Sequence, residues 1–242
     1  MQQDKTPVTT DLVLLGGGHS HLFVLKHFAM NPLPGVRLTL VSRDLHTPYS
    51  GMLPGFIAGH YSRDETHIDL LPLARFAAAR VVHDEVTGLD ADRRQLRFAA
   101  RPALDYDLLS INIGARPTSP SLAPSGDFQF GVKPVDRFIA SWAQLEQRLR
   151  DGGGEFHLAI IGGGAGGVEL ALSLHYRARQ LSPPARPLRL TIVTDRDRLL
   201  HGHNQRVGQI FRRILQQRAL MPEKRLTLTR IQWIRPHHTR RW

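Results

Sequence analysis

Twice in this chain a short apolar run stops at three glycines, and apolar residues at helical spacing follow. Leu12–Leu15 leads into Gly16-Gly17-Gly18, after which Leu22, Leu25 and Ala29 recur until Asn31-Pro32 ends the pattern. Leu158–Ile161 leads into Gly162-Gly163-Gly164, followed by Val168, Ala171, Leu174 and Ala178. Each pattern predicts a parallel strand buried on both faces, a tight turn and a helix. Further strands are predicted at Val36–Val41, Val81-Val82, near Val86, at Gln95–Phe98, in a buried stretch over 106–113, and at Leu188–Val193. Gln95–Phe98 and the turns around Asp92 suggest a small antiparallel excursion. Two more helices are expected. One starts near Asp136, with Phe138, Trp142, Leu145 and Leu149 on one face, and the other carries Val207, Ile210, Phe211 and Ile214.

The glycine spacing turns this pattern into a chemical expectation. Gly162, Gly164 and Gly167 fall in G-x-G-x-x-G register. In that arrangement one glycine makes the turn, the second lets a pyrophosphate approach the backbone, and the third brings helix and strand close. The diphosphate would sit on free N–H groups at the helix N-terminus. Gly16 and Gly18 fill the first two positions of the earlier copy, with His21 standing where the third glycine belongs. The two copies lie 146 positions apart, an internal duplication of a mononucleotide-binding unit.

A ribose-binding carboxylate is expected at the end of the strand after each turn. The first such strand ends in Ser42-Arg43-Asp44, which leaves Ser42 and Asp44 as alternatives. The second ends in Thr194-Asp195-Arg196. Thr194 and Asp195 are ribose candidates there, whereas Arg196 and Arg198 could meet a 2′-phosphate, so NADH against NADPH stays open. The loop PYSGMLPG from Pro48 carries apolar residues that either line a ring-shaped ligand or fold under the loop. The stretch YDLLSINIGARP from Tyr106 puts Asn112 and the Gly114 backbone at a strand end, where a dinucleotide could be touched.

Composition narrows the classes. At 41% hydrophobic and 22% charged the chain is ordinary globular protein, and no apolar run approaches the roughly 18 residues of a membrane helix. The N-terminus lacks the apolar core of a secretory signal, so a cytoplasmic protein is expected. Cysteine is absent, which excludes disulfides, thiolate metal sites and a redox-active cysteine pair. His201, His203, His237 and His238 lack carboxylate or cysteine neighbours at ligand spacing, and no metal site is expected. Of the net charge of +11, residues 222–242 supply +5 through six basic side chains against Glu223. A solvated tail is expected there rather than a specific nucleic-acid surface, with contact to anionic lipid left open. The Ser-, Pro- and Gly-rich stretch 118–131 reads as a crossing between domains. The resulting division is 1–125, 126–221 and the basic tail 222–242.

With both fingerprints and YDLLSINIGARP in view, the chain resembles the two-dinucleotide-domain flavoproteins of the pyridine nucleotide-disulfide oxidoreductase superfamily, in their type II NADH dehydrogenase-like branch. GGGHSH together with HTPYSGMLPG resembles the flavoprotein module fused to selenide, water dikinase. The resemblance implies an α/β fold with two Rossmann-like units, the first for FAD and the second for NAD(P)H. It implies that Gly16, Gly18 and Ser42 serve FAD, with Asn112 and Gly114 on the flavin side. Gly162, Gly164, Gly167 and Glu169 would serve the nicotinamide nucleotide, Glu169 near the carboxamide; read from the residues alone, Glu169 is a carboxylate favoured by a helix N-terminus. The implied activity passes hydride from NAD(P)H to flavin and on to a small-molecule acceptor such as a quinone, with peripheral membrane contact. The alternative it implies is an inactive nucleotide-binding module serving a selenide, water dikinase partner in selenophosphate synthesis. Three departures stand out. No cysteine pair supports disulfide or sulfide:quinone reductase chemistry, Ser42 and Thr194 replace the usual acids, and no late Gly-Asp segment follows the second unit. On that last count the fold is expected to be incomplete at its C-terminus and to hold FAD weakly or not at all.

Overall fold

The computed structural model describes residues 6–114, 130–151, 154–181, 188–196, 198–219 and 226–230, with 218–219 and 226–230 as backbone. The chain divides into two compact units: Met1–Ser50 with Arg63–Arg137, and Gly51–Ser62 with Phe138–Trp242. The sequence reading divides the chain at 125/126; the structure divides it between Arg137 and Phe138 and also gives Gly51–Ser62 to the second unit. The expected crossing over 118–131 lies outside the described residues, apart from Phe130 and Gly131.

In the first unit the elements run β1 (Thr10–Leu15), α1 (His19–Met30), β2 (Val36–Ser42) and β3 (His46–Pro48). After the excursion into the second unit come β4 (His67–Asp69), α3 (Leu70–Phe76), β5 (Arg80–His83), β6 (Val86–Asp90), β7 (Gln95–Phe98), β8 (Leu104–Asp105) and β9 (Leu108–Ile111). The intervening short helix, α2, is Leu53–Ala58. Four parallel strands form the main sheet in the order β5-β2-β1-β9. That is the 3-2-1-4 order of half a doubly wound nucleotide-binding fold, as the βαβ reading requires.

Alternate residues of β1 and β2 face opposite layers, which is why the apolar runs are continuous rather than alternating. Leu14, Leu38 and Leu40 pack with Leu25 of α1 and with Leu70 and Ala74 of α3. Val13 and Val41 face the other way, onto Leu96, with Phe98 and Leu104 beside them. The antiparallel excursion β6-β7-β8 therefore covers one face of the sheet while two helices cover the other. Asp69 caps α3, its Oδ1 accepting from the Leu71 N–H at 2.9 Å.

The second unit contains α2, α4 (Val135–Arg150, which begins at the boundary), β10 (Phe156–Ile161), α5 (Ala165–Gln180), β11 (Leu188–Thr194), α6 (Gln205–Ala219) and β12 (Leu226–Arg230). Its strands are parallel in the order β10-β11-β12. The expected stripe of α4 is buried: Phe138, Trp142, Leu145 and Leu149 all lie inside. Glu146 of α4 takes Arg177 of α5, Nε to Oε1 at 2.7 Å.

Three strands differ from expectation. β9 and β10 are edge strands among the described residues, and neither is buried on both faces. Leu108 and Ile111 of β9 and Ile161 of β10 are exposed. β12 is the third, for it lies within the stretch read as a basic tail, yet its backbone continues the sheet beside β11. LTLTR alternates at the strand period, and the surrounding charge masks that signal. Pro222 and residues 231–242 lie outside the described residues.

Candidate nucleotide-binding turns

In the first unit the turn after β1 is tied to strands on both sides. The Gly16 N–H donates to the Val41 carbonyl at 2.7 Å, and the Gly18 N–H to the Asn112 carbonyl at 3.1 Å. The Asn112 N–H in turn donates to the Leu15 carbonyl at 2.8 Å. Gly16 has φ +96°, and a Cβ there would strike the Asn112 carbonyl oxygen. One on Gly18 would strike the Asn112 carboxamide, and one on Gly17 would come within 2.6 Å of Leu70 Cδ1. Glycine is required at Gly16 by backbone contact and positive φ, and is favoured at Gly17 and Gly18, where a Cβ would displace Leu70 and Asn112 side chains.

Gly18 is the N-cap of α1, with no capping side chain and no acid in the first turn. Nothing there competes with an anion for the unpaired amides of the helix start. The Asn112 Nδ2 is buried with no hydrogen-bond partner among the described residues. A buried amide donor without a partner costs free energy that a ligand acceptor at the turn would recover. The His19 ring, one residue past Gly18, meets the Tyr49 ring at 4.3 Å between centroids.

Ser42 and Asp44 are less open than their positions suggest. Ser42 is buried beneath Gly17 and donates its hydroxyl to the Asp44 carbonyl at 2.6 Å, which leaves its oxygen lone pairs as acceptors. The Asp44 carboxylate is exposed and paired with Arg43 at 2.8 Å. Gly114 has φ +79° and open space around it.

The second turn repeats the first. Gly162 has φ +122°, and its N–H donates to the Val193 carbonyl at 2.8 Å, as Gly16 does to Val41. Gly164, at φ −78° and ψ −176°, is the extended N-cap of α5, again with no acid in the first turn. A Cβ on Gly167 would overlap the Gly162 carbonyl oxygen, so the third glycine is required by contact. Thr194 is buried against Gly163 and accepts from the Arg196 N–H at 3.2 Å. Asp195 is exposed, 3.6 Å from Arg196, and Glu169 is exposed beyond the first turn of α5. Arg198 donates to the His201 carbonyl at 3.0 Å, while its Nη1 is buried without a partner among the described residues.

The turns thus gather Gly16, Gly18, Ser42 and Asn112 in one unit and Gly162, Gly164, Gly167 and Thr194 in the other. Gly114, Glu169 and Asp195 stand at their margins. His19, Leu70 and Ser110 are the additions that sequence reasoning missed, whereas Tyr49 lies in the loop from Pro48 that it offered as a ligand lining. Among the described residues no group of three metal-ligating side chains occurs.

The sequence profile of the pyridine nucleotide-disulphide oxidoreductases matches residues 10–229. The chain belongs to that family. The match runs into β12, beyond the point where the basic tail was expected to begin. The chain is similar to the NADH dehydrogenase-like protein YutJ of Bacillus subtilis, 27% identical over 168 residues that make 67% of this chain and 44% of that protein. Among solved structures, the sulfide:quinone oxidoreductase of Aquifex aeolicus has the same fold, with a TM-score of 0.70 at 18% identity over 92% of this chain and 52% of that one. NDH2 of Plasmodium falciparum, solved with NADH, gives a TM-score of 0.72 at 15% identity over 90% of this chain and 48% of that one. This chain spans about half the length of the relatives it matches. No described helix of this family member is long and apolar enough to cross a membrane.

Proposed function

We propose that this family member is a flavin-dependent oxidoreductase, with FAD on the first turn and NAD(P)H on the second. Repetition of one scheme in both units carries the reading: a positive-φ glycine bonded to the neighbouring strand, then an extended glycine N-cap on an acid-free helix. Such a scheme fits a diphosphate, because it offers aligned N–H groups and excludes competing carboxylates. The unpartnered Asn112 amide and the side-chain-free cradle of Gly16–Gly18 favour a bound ligand in the first unit.

Bound FAD supplies a two-electron acceptor for the hydride of the nicotinamide. The chain's own part is to hold and orient. The amides of α1 and α5 seat the diphosphates, Asn112 donates at the first turn, and Thr194 and Asp195 stand at the ribose end of the second. Hydride transfer depends on positioning, and no acid or base side chain is required of the protein. The acceptor downstream is a small molecule, and YutJ, NADH dehydrogenase-like by name, favours NADH as the donor.

Calorimetric titration with NADH and with NADPH tests the second site. A single saturable site per chain is expected for at least one of them. No binding of either would remove the second turn from the proposal.

A further inference from the structure

We infer that His21 is the positioning residue of the first turn, doing by hydrogen bonding what close contact of a third glycine does in the second. In the second unit α5 lies so near its turn that a Cβ on Gly167 would overlap the Gly162 carbonyl oxygen. The corresponding residue of the first unit carries a whole imidazole, and it is 1% exposed. Its Nδ1 lies 2.7 Å from the carbonyl of Gly16, the counterpart of Gly162. Its Nε2 lies 2.9 Å from Ser110 Oγ on β9.

The partners fix the tautomer. A carbonyl only accepts, so Nδ1 carries the hydrogen, Nε2 is the acceptor, and the Ser110 hydroxyl donates to it. Burial favours the neutral ring by pushing its pKa down, against the Gly16 bond that pulls it up. Two consequences follow for the turn. A trans peptide sets its N–H opposite its C=O, so holding the Gly16 carbonyl on His21 directs the Gly17 N–H away from the buried ring. Asn112 follows directly on β9, two residues after Ser110, so the same ring fixes the end of β9 from which Asn112 receives the Gly18 N–H. His21 therefore sets both the direction of a turn amide and the seat of the Asn112 carboxamide. This inference rests on the reading of the first turn as a diphosphate seat.

The test uses the full chain and three variants: His21→Ala, His21→Asn, whose amide stands near the place of Nδ1, and Ser110→Ala. Nitrogen-15 spectra of the wild type at neutral pH should show His21 neutral with hydrogen on Nδ1. FAD affinity, followed by flavin fluorescence, should fall about ten-fold in His21→Ala and about three-fold in Ser110→Ala, the range of one hydrogen bond. It should return most of the way in His21→Asn, while NADH affinity stays unchanged in all three. Hydrogen exchange at the Gly18 amide should quicken in His21→Ala and not in His21→Asn. Hydrogen on Nε2, or equal FAD affinity in wild type and His21→Ala, or no rescue by His21→Asn, would overturn the role of His21. If wild type binds no FAD, the diphosphate reading fails, and the tautomer and the exchange rates still decide whether His21 holds the turn. Should His21→Ala fail to fold, Ser110→Ala and the tautomer carry the decision.

Discussion

Gly164→Asp is expected to leave the second unit as stable as before, or stabler by a few tenths of a kcal/mol, while abolishing useful NAD(P)H binding. Gly164 is exposed, extended, and has no heavy atom within 4 Å of the position of its Cβ, so the new side chain meets no obstacle. Aspartate is among the preferred N-cap residues, because its carboxylate accepts from the free amides of the first turn. Those are the amides the diphosphate needs. Occupying them removes about two charge-assisted hydrogen bonds, at roughly 1.5–3 kcal/mol each, and sets negative charge against negative charge. A loss of at least about a hundred-fold in NADH affinity follows. Thermal unfolding and calorimetry on the same sample check both halves. Unchanged affinity would show that the diphosphate does not sit on this helix end.

Gly16→Ala should act in the opposite way, through the fold. The residue has φ +96°, and its Cβ would press on the carbonyl of Asn112 and come within 2.9 Å of the Ile113 Cα. These are backbone atoms and cannot swing aside. Strain of about 1–3 kcal/mol adds to the loosening of the Gly16–Val41 and Gly18–Asn112 bonds, at roughly 1 kcal/mol each. The first unit should lose about 3–5 kcal/mol, a large part of the 5–15 kcal/mol that stabilises an ordinary domain. Urea unfolding measures it. Gly114→Ala is the control, since Gly114 has φ +79° but empty space around it, and strain alone remains. Equal losses for the two variants would mean that contact with Asn112 contributes nothing.

What the sequence makes legible here is whatever depends on neighbours in the chain. Runs such as Leu12–Leu15, glycines at fixed offsets, and the stripe Phe138–Trp142–Leu145–Leu149 announce strand, turn and helix through local periodicity. What stays hidden depends on partners far along the chain. Ser110 lies 89 residues from His21, and nothing local pairs them. Which face of an apolar strand another layer covers is likewise settled by distant partners, and β9 and β10 read as buried yet expose Ile111 and Ile161. Ser42 sits where a ribose ligand is expected, but its hydroxyl hydrogen is given to the Asp44 carbonyl two residues on. Gly51–Ser62 clusters with the second unit because α2 packs on α5, a contact across more than a hundred positions.

The central proposal is that this chain is a flavin-dependent oxidoreductase, with FAD on the first turn and NAD(P)H on the second. Its most direct test supplies the purified chain with excess FAD, excludes oxygen, adds NADH or NADPH, and follows the visible flavin absorbance. The absorbance should bleach much faster than for free FAD with the same nucleotide, and that acceleration should vanish in both Gly16→Ala and Gly164→Asp. Bleaching no faster than that of free FAD would contradict the claim.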